Sequence, residues 1–136
     1  MITVTYHNIQ YDNELRCDVD GSGIIRVTVE GHALFSAEGA KSPAARKEGS
    51  KGYNLICAAV SFSALTLLRS ITIIAGTNPD YTIKEGIMSI RMHFDALGAE
   101  QKTITRVLLE SFLIGMLDMQ KKYPDEIAIQ TVAENK

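Results

Sequence analysis

The chain has 136 residues, 46 % of them hydrophobic and 22 % charged, with a formal net charge of −2. That length fits one domain with its own core, and that charge excludes a surface given over wholly to nucleic acid, although a local basic patch stays open. The two cysteines, Cys17 and Cys57, form no Cys-x-x-Cys and no Cys/His cluster at zinc-ligand spacing, so no metal is expected.

Ile2, Val4 and Tyr6 alternate with polar residues and predict a half-buried first strand. No basic stretch followed by an apolar one precedes it, so no signal segment is expected, and the cytoplasm, with both thiols reduced, is the expected compartment. Residues 8–23, rich in Asn, Asp and Gly, read as a long connection with a short extra strand at about 15–19. Ile25, Val27 and Val29 alternate with Arg26, Thr28 and Glu30 in a second strand that ends at Gly31. Residues 36–52 hold no large apolar side chain, three glycines and the basic residues Lys41, Arg46, Lys47 and Lys51. Such a run buries too little surface to order itself and is expected to be a flexible loop, either a functional lid or a tolerated insertion.

Residues 55–75 predict a first long helix, with Asn54 as N-cap and Gly76 at the left-handed C-terminal position. Its single charge, Arg69, makes it long and apolar enough to cross a bilayer. Its five Ser and Thr residues and its place between strands fit a core helix better, so no membrane is expected, and Ala58, Ala59 and Val60 read as core. Residues 81–84 and 87–94 read as a hairpin around Glu85-Gly86, with Met88, Ile90, Met92 and Phe94 on one face. Residues 99–123 predict a second helix with an apolar stripe of Ile104, Val107, Leu108, Phe112, Met116 and Met119, stopped by Pro124. Residues 126–132 supply a possible last edge strand. The expected fold is α+β: one mixed or antiparallel sheet of four to five strands packed with two long helices, order ββαββα(β), in a single domain over 1–136.

With Asn54 as N-cap, Cys57 is the third helical residue, where unpaired N–H groups and the positive helix end favour a thiolate. Cysteine is also among the most buried residue types, and a packed core thiol is the competing reading. Ser61, one turn later, shares the face of Cys57, so its hydroxyl is placed to contact the thiol or a substrate. His32, just past the second strand, is the candidate base, whereas His7 and His93 read as surface residues and nothing beside Cys17 points to activation. The basic residues of the loop are placed to attract an acidic partner or simply to be solvated.

Two quoted stretches, "VEGHA" (29–33) and "GYNLICAAVSFSAL" (52–65), together resemble the ribosomal-processing cysteine proteases of bacteria, the Prp (YsxB-like) family. In that family Gly-His-Ala ends a strand, and Gly-x-Asp-hydrophobic-hydrophobic-Cys-Ala-Ala-Val-Ser opens the central helix. The resemblance implies a cytoplasmic, homodimeric cysteine endopeptidase without metal or cofactor, which removes a short N-terminal extension from a large-subunit ribosomal protein. It implies no direct nucleic-acid partner. Carried over by position, Cys57 is the nucleophile and His32 the general base and acid, with Gly31, Asn54 and Ser61 supporting them or binding substrate. Backbone N–H groups at the helix start, near Cys57, are the expected oxyanion donors, and the 36–52 loop the expected lid. The chain departs from the family pattern at Asn54, where Asp is usual, and in a longer connection between His32 and Cys57. The rival expectations are a non-catalytic homodimeric module that binds a ribosomal or assembly partner, and thiol chemistry on a small molecule.

Overall fold

Period-two alternation builds the sheet. β1 (Ile2–His7), β4 (Ile24–Glu30) and β6 (Ile87–His93) each turn a row of apolar side chains the same way. Register aligns these rows: Val4 pairs with Val29, Tyr6 with Val27, Val27 with Ile90 and Val29 with Met88. In this computed structural model the described residues are 1–19, 23–31, 34–35 and 50–133, the first five residues of the first helix by their backbone alone.

The remaining elements are β2 (Ile9–Tyr11), β3 (Cys17–Val19), α1 (Ser50–Ile73), β5 (Asp80–Lys84), α2 (Ala99–Lys122) and β7 (Ile127–Val132), with a 3-10 turn at Phe94–Ala96. Five strands make one sheet in the order β5-β6-β4-β1-β7. β7 runs parallel to β1 and the other neighbours are antiparallel, so the sheet is mixed. β2 and β3 pair separately as a small ribbon. The fold is α+β with two long helices, as the periodicity predicts, and the last strand that was only possible from sequence is a full edge strand.

One sheet face is apolar, carrying Ile2, Val4, Tyr6, Ile25, Val27, Val29, Met88, Ile90 and Ile127, all buried. The other carries Thr3, Thr5, Arg26, Thr28, Ser89 and Gln130, and the Gln130 amide donates to the Thr5 hydroxyl at 3.1 Å. The helices join the apolar face: the Tyr6 hydroxyl donates to the Leu109 carbonyl of α2 at 2.6 Å. α1 contributes Ile56, Cys57, Val60, Ala64, Leu67, Leu68 and Ile71 to the core, a helical stripe of about one face. The window Leu55–Ile73 is long and apolar enough to cross a membrane by length and composition; here its buried row is the inner layer of the fold.

Three helix expectations change. α1 starts at Ser50, five residues before the expected start, so Asn54 lies inside the helix and does not cap it. Ala58 and Ala59 are exposed while Cys57 is buried, which reverses the expected order along that turn. In α2 the buried row is Thr105, Leu109, Phe112, Leu113 and Met116, and Val107 of the expected stripe is 54 % exposed. α2 is apolar on more than one side, so its pattern alone does not choose the face that meets the sheet.

Candidate active site

The end of β4 is clipped to the tip of the β5–β6 hairpin. The Gly31 N–H donates to the Gly86 carbonyl at 2.9 Å, and the Gly86 N–H donates to the Leu34 carbonyl at 2.7 Å. The Leu34 N–H returns to the Gly31 carbonyl at 3.2 Å and closes the turn. Glycine suits both ends of the clip for different reasons. Gly86 has φ +88°, which side-chain-bearing residues rarely adopt. At Gly31 a Cβ would stand 3.0 Å from Ile2 Cγ1 and 3.0 Å from Leu34 Cδ1, tighter than ordinary contact.

The same turn is tied to α1. Leu34 is fully buried in the core that holds Cys57 and Val60. Phe35 follows with φ +59° and donates its N–H to Ser61 Oγ at 3.2 Å. Ser61 sits one helical turn after Cys57, on the same face. The segment leaving β4 and the Cys57 face of α1 therefore meet in space. The Gly31 end of the clip borders an open cleft of about 490 Å³, lined also by Thr3, Glu30, Glu85, Gly86 and Ile87.

Of the expected site residues, Cys57, Ser61 and Gly31 are thus brought to neighbouring parts of the fold. His32 and the 36–49 portion of the expected loop lie outside the described residues, as does the Asn54 side chain, while residues 50–52 belong to α1. Cys57 itself is 3 % exposed. With α1 starting at Ser50, Cys57 lies in the third turn, not the first. The four unpaired N–H groups of a helix belong to its first residues, and the dipole effect fades within the first turn. Helix-end activation of the thiol and oxyanion donors beside it are therefore not supplied by α1 as expected from the sequence.

Cys17 is the contrasting thiol. It is buried in β3, its N–H donates to Glu110 Oε2 at 2.9 Å, and it is not joined to Cys57 in a disulfide. Burial first, then the carboxylates of Glu110 and Asp12, push its pKa up to about 12 against the opposing pull of Arg106. A thiol held protonated is a poor nucleophile. Among the described residues no group of three or more His, Cys, Asp and Glu side chains gathers in a way that could hold a metal ion.

Sequence reasoning missed Leu34, Phe35 and Gly86. The signal was present in part: two large apolar residues directly after a strand end mark an anchored turn, and Gly86 was legible as a hairpin glycine but not as the partner of Gly31.

Residues 14–128 match the sequence profile of the family described as cysteine protease Prp. The chain belongs to this family. No curated protein matches it. Solved structures share the fold of this Prp family member. SMU.848 from Streptococcus mutans is 20 % identical with a TM-score of 0.64, covering 98 % of this chain and 96 % of its own. The ribosomal processing protease Prp from S. aureus, in complex with a substrate peptide, is 16 % identical with a TM-score of 0.61, covering 96 % of this chain and 99 % of its own. The same S. aureus protease with a covalently linked product peptide gives a TM-score of 0.60 at the same identity and coverage.

Proposed function

We propose that this chain is a cytoplasmic cysteine endopeptidase that removes a short N-terminal extension from a large-subunit ribosomal protein. Membership of the Prp family supports the reaction class. One observation carries the assignment to residues: the Phe35 N–H to Ser61 Oγ hydrogen bond, which joins the segment just after His32 in sequence to the helix face of Cys57. In this reading the Cys57 thiolate, formed by proton transfer to His32, attacks the scissile carbonyl carbon. The C–N bond breaks as His32 returns the proton to the leaving amine, and a thioester remains. Water, deprotonated by His32, then attacks the thioester, the C–S bond breaks, and the acid product leaves. Gly31 shapes the backbone beside His32 in sequence. No cofactor enters the scheme. Asn54, where the family usually has Asp, lies inside α1 and brings no negative charge to the helix.

The test compares wild type, Cys57→Ala and His32→Ala on extension-bearing large-subunit ribosomal proteins from the same organism, with products read by mass spectrometry. Cleavage is expected from wild type alone, with each variant down by at least about 10²-fold. Cleavage that persists in Cys57→Ala overturns the mechanism.

The burial of Cys57 favours one other reading, a non-catalytic homodimeric module that binds a ribosomal or assembly partner. It requires binding of the uncleaved protein by wild type and Cys57→Ala alike, with no product from either.

A further inference from the structure

β5 closes one side of the sheet, and among the described residues no strand lies on its outer side. All five of its residues, Asp80–Lys84, are exposed. A bare edge is a template for pairing, and sheets commonly blunt it with a proline, a bulge or a central charge. Here the ladder to β6 runs unbroken from Asp80–Arg91 to Lys84–Ile87, and the charges of β5 lie at its two ends.

The register shows which backbone groups face outward. Lys84 and Ile87 flank the two-residue Glu85-Gly86 turn, so they form a hydrogen-bonded pair, and antiparallel alternation gives Thr82 and Asp80 the same state. Tyr81 and Ile83 therefore turn their N–H and C=O groups to the open edge. Their side chains share the face of Ile90 and Met88, the apolar face, where they remain 59 % and 39 % exposed. Asp80, Thr82 and Lys84 share the polar face.

Acid, apolar, Thr, apolar, base: the strand is its own complement. About a two-fold axis at Thr82, antiparallel pairing with a second copy sets Tyr81 opposite the partner's Ile83 and Ile83 opposite the partner's Tyr81. Both pairs exchange backbone bonds through their outward groups, and both bury apolar side chains against each other. Asp80 meets the partner's Lys84 at one end, and Lys84 meets the partner's Asp80 at the other. A slip by two residues, the smallest that keeps the outward groups facing, separates both charge pairs. Within its own chain the Asp80 carboxylate lies 3.6 Å from Arg91 with its side chain 80 % exposed, so it stays open to a second cation.

We propose that β5 is a contact site for a second copy of this chain: the two edge strands pair antiparallel about Thr82 and join the sheets into one of ten strands. The contact is separate from the helix layer and needs no part of the protease reading. A pair of five-residue strands is a small interface of the weak, transient class, so it fills only at high protein concentration.

The experiment measures the mass of the full chain by small-angle X-ray scattering at about 1 mM, a concentration that fills a weak contact. Wild type is expected to show about twice the mass of Asp80→Lys or of Lys84→Asp, because in each variant like charges meet at both ends. An equimolar mixture of the two variants sets every lysine opposite an aspartate and is expected to regain the wild-type mass. A folding defect would not be rescued by mixing. Independently, Thr82→Cys is expected to form a disulfide between two copies on oxidation by oxidised glutathione, since position 82 faces itself across the axis; Tyr81→Cys, which faces Ile83 instead, is not. Equal masses for wild type and both variants, or a mixture that stays at the single-variant mass, overturn the proposal. So does a Thr82→Cys chain that cross-links no more than Tyr81→Cys.

Discussion

Cys17 and Cys57 are both buried, and the surroundings of Cys17 hold its proton in place. The Cys17 thiol, raised from its ordinary value of 9.0 to about 12, holds its proton more tightly folded than unfolded. Its contribution to stability is therefore complete below pH 9 and is lost as pH rises toward 12. Tyr6 acts in the same direction, because burial pushes its phenol well above 10. Urea midpoints are expected to hold to about pH 9 and then fall, with the Cys17 share at most about 1.4 kcal/mol per pH unit. Cys17→Ala should flatten that fall; a wild-type midpoint unchanged to pH 11 would refute the assignment. Gly31→Ala is the second test at this scale. The added methyl crowds Ile2 and Leu34, and a loss of about 1–3 kcal/mol is expected in denaturant titration. A neutral result would mean that the β4 end is looser than its clip to Gly86 implies.

At the scale of elements, α1 is where local pattern and fold disagree. The stretch before Leu55 reads Ser-Lys-Gly-Tyr-Asn, with a glycine and little apolar content, so Asn54 is the natural cap by propensity. The helix nevertheless begins at Ser50. Asn54→Ala distinguishes the two. A cap lost to alanine costs about 1 kcal/mol, whereas an interior Asn replaced by Ala gains a few tenths. Thermal unfolding is expected to stay level or rise slightly; a clear fall in Tm would restore the later start. α2 carries the same lesson. Its outer residues Val107 and Ile114 are 54 % and 45 % exposed while Thr105 is fully buried, an arrangement that periodicity does not predict. By contrast, the β5–β6 hairpin was legible to within a residue at its outer ends, since the alternation of β6 and the Glu85-Gly86 turn are both local signals, although Phe94 opens the 3-10 turn instead of ending the strand.

At the scale of the whole molecule, the helix layer leaves apolar surface uncovered. Phe62 is 73 % exposed and stands at a groove of about 230 Å³ between α1 and α2, floored by Leu67, Phe112 and Met116 and edged by small residues such as Ser63, Ser111 and Gly115. We propose this groove as the contact of the homodimer that the family resemblance implies, with Phe62 as its anchor. Phe62→Asp is expected to convert a dimer into a monomer in sedimentation velocity, with unchanged far-UV circular dichroism because the residue is outside the core. A dimer that survives this change lies on another face.

The sequence by itself determined four strands of the main sheet, the two long helices, their order and the two motifs that mark the Prp family, but read β2 as part of a connection. Each of these rests on near neighbours in the chain: alternation at period two, apolar spacing at helical period, and residue types within a few positions. Only the tertiary structure decided where α1 begins, which face of α2 is buried, and that β1 lies between β4 and a parallel β7. It also decided the two bonds on which the candidate site depends, Gly31 to Gly86 and Phe35 to Ser61. Those partners are far apart in the chain, and packing chooses them. A hydroxyl on a helix and an amide after a strand carry no local sign of each other until a common core brings them within hydrogen-bond reach.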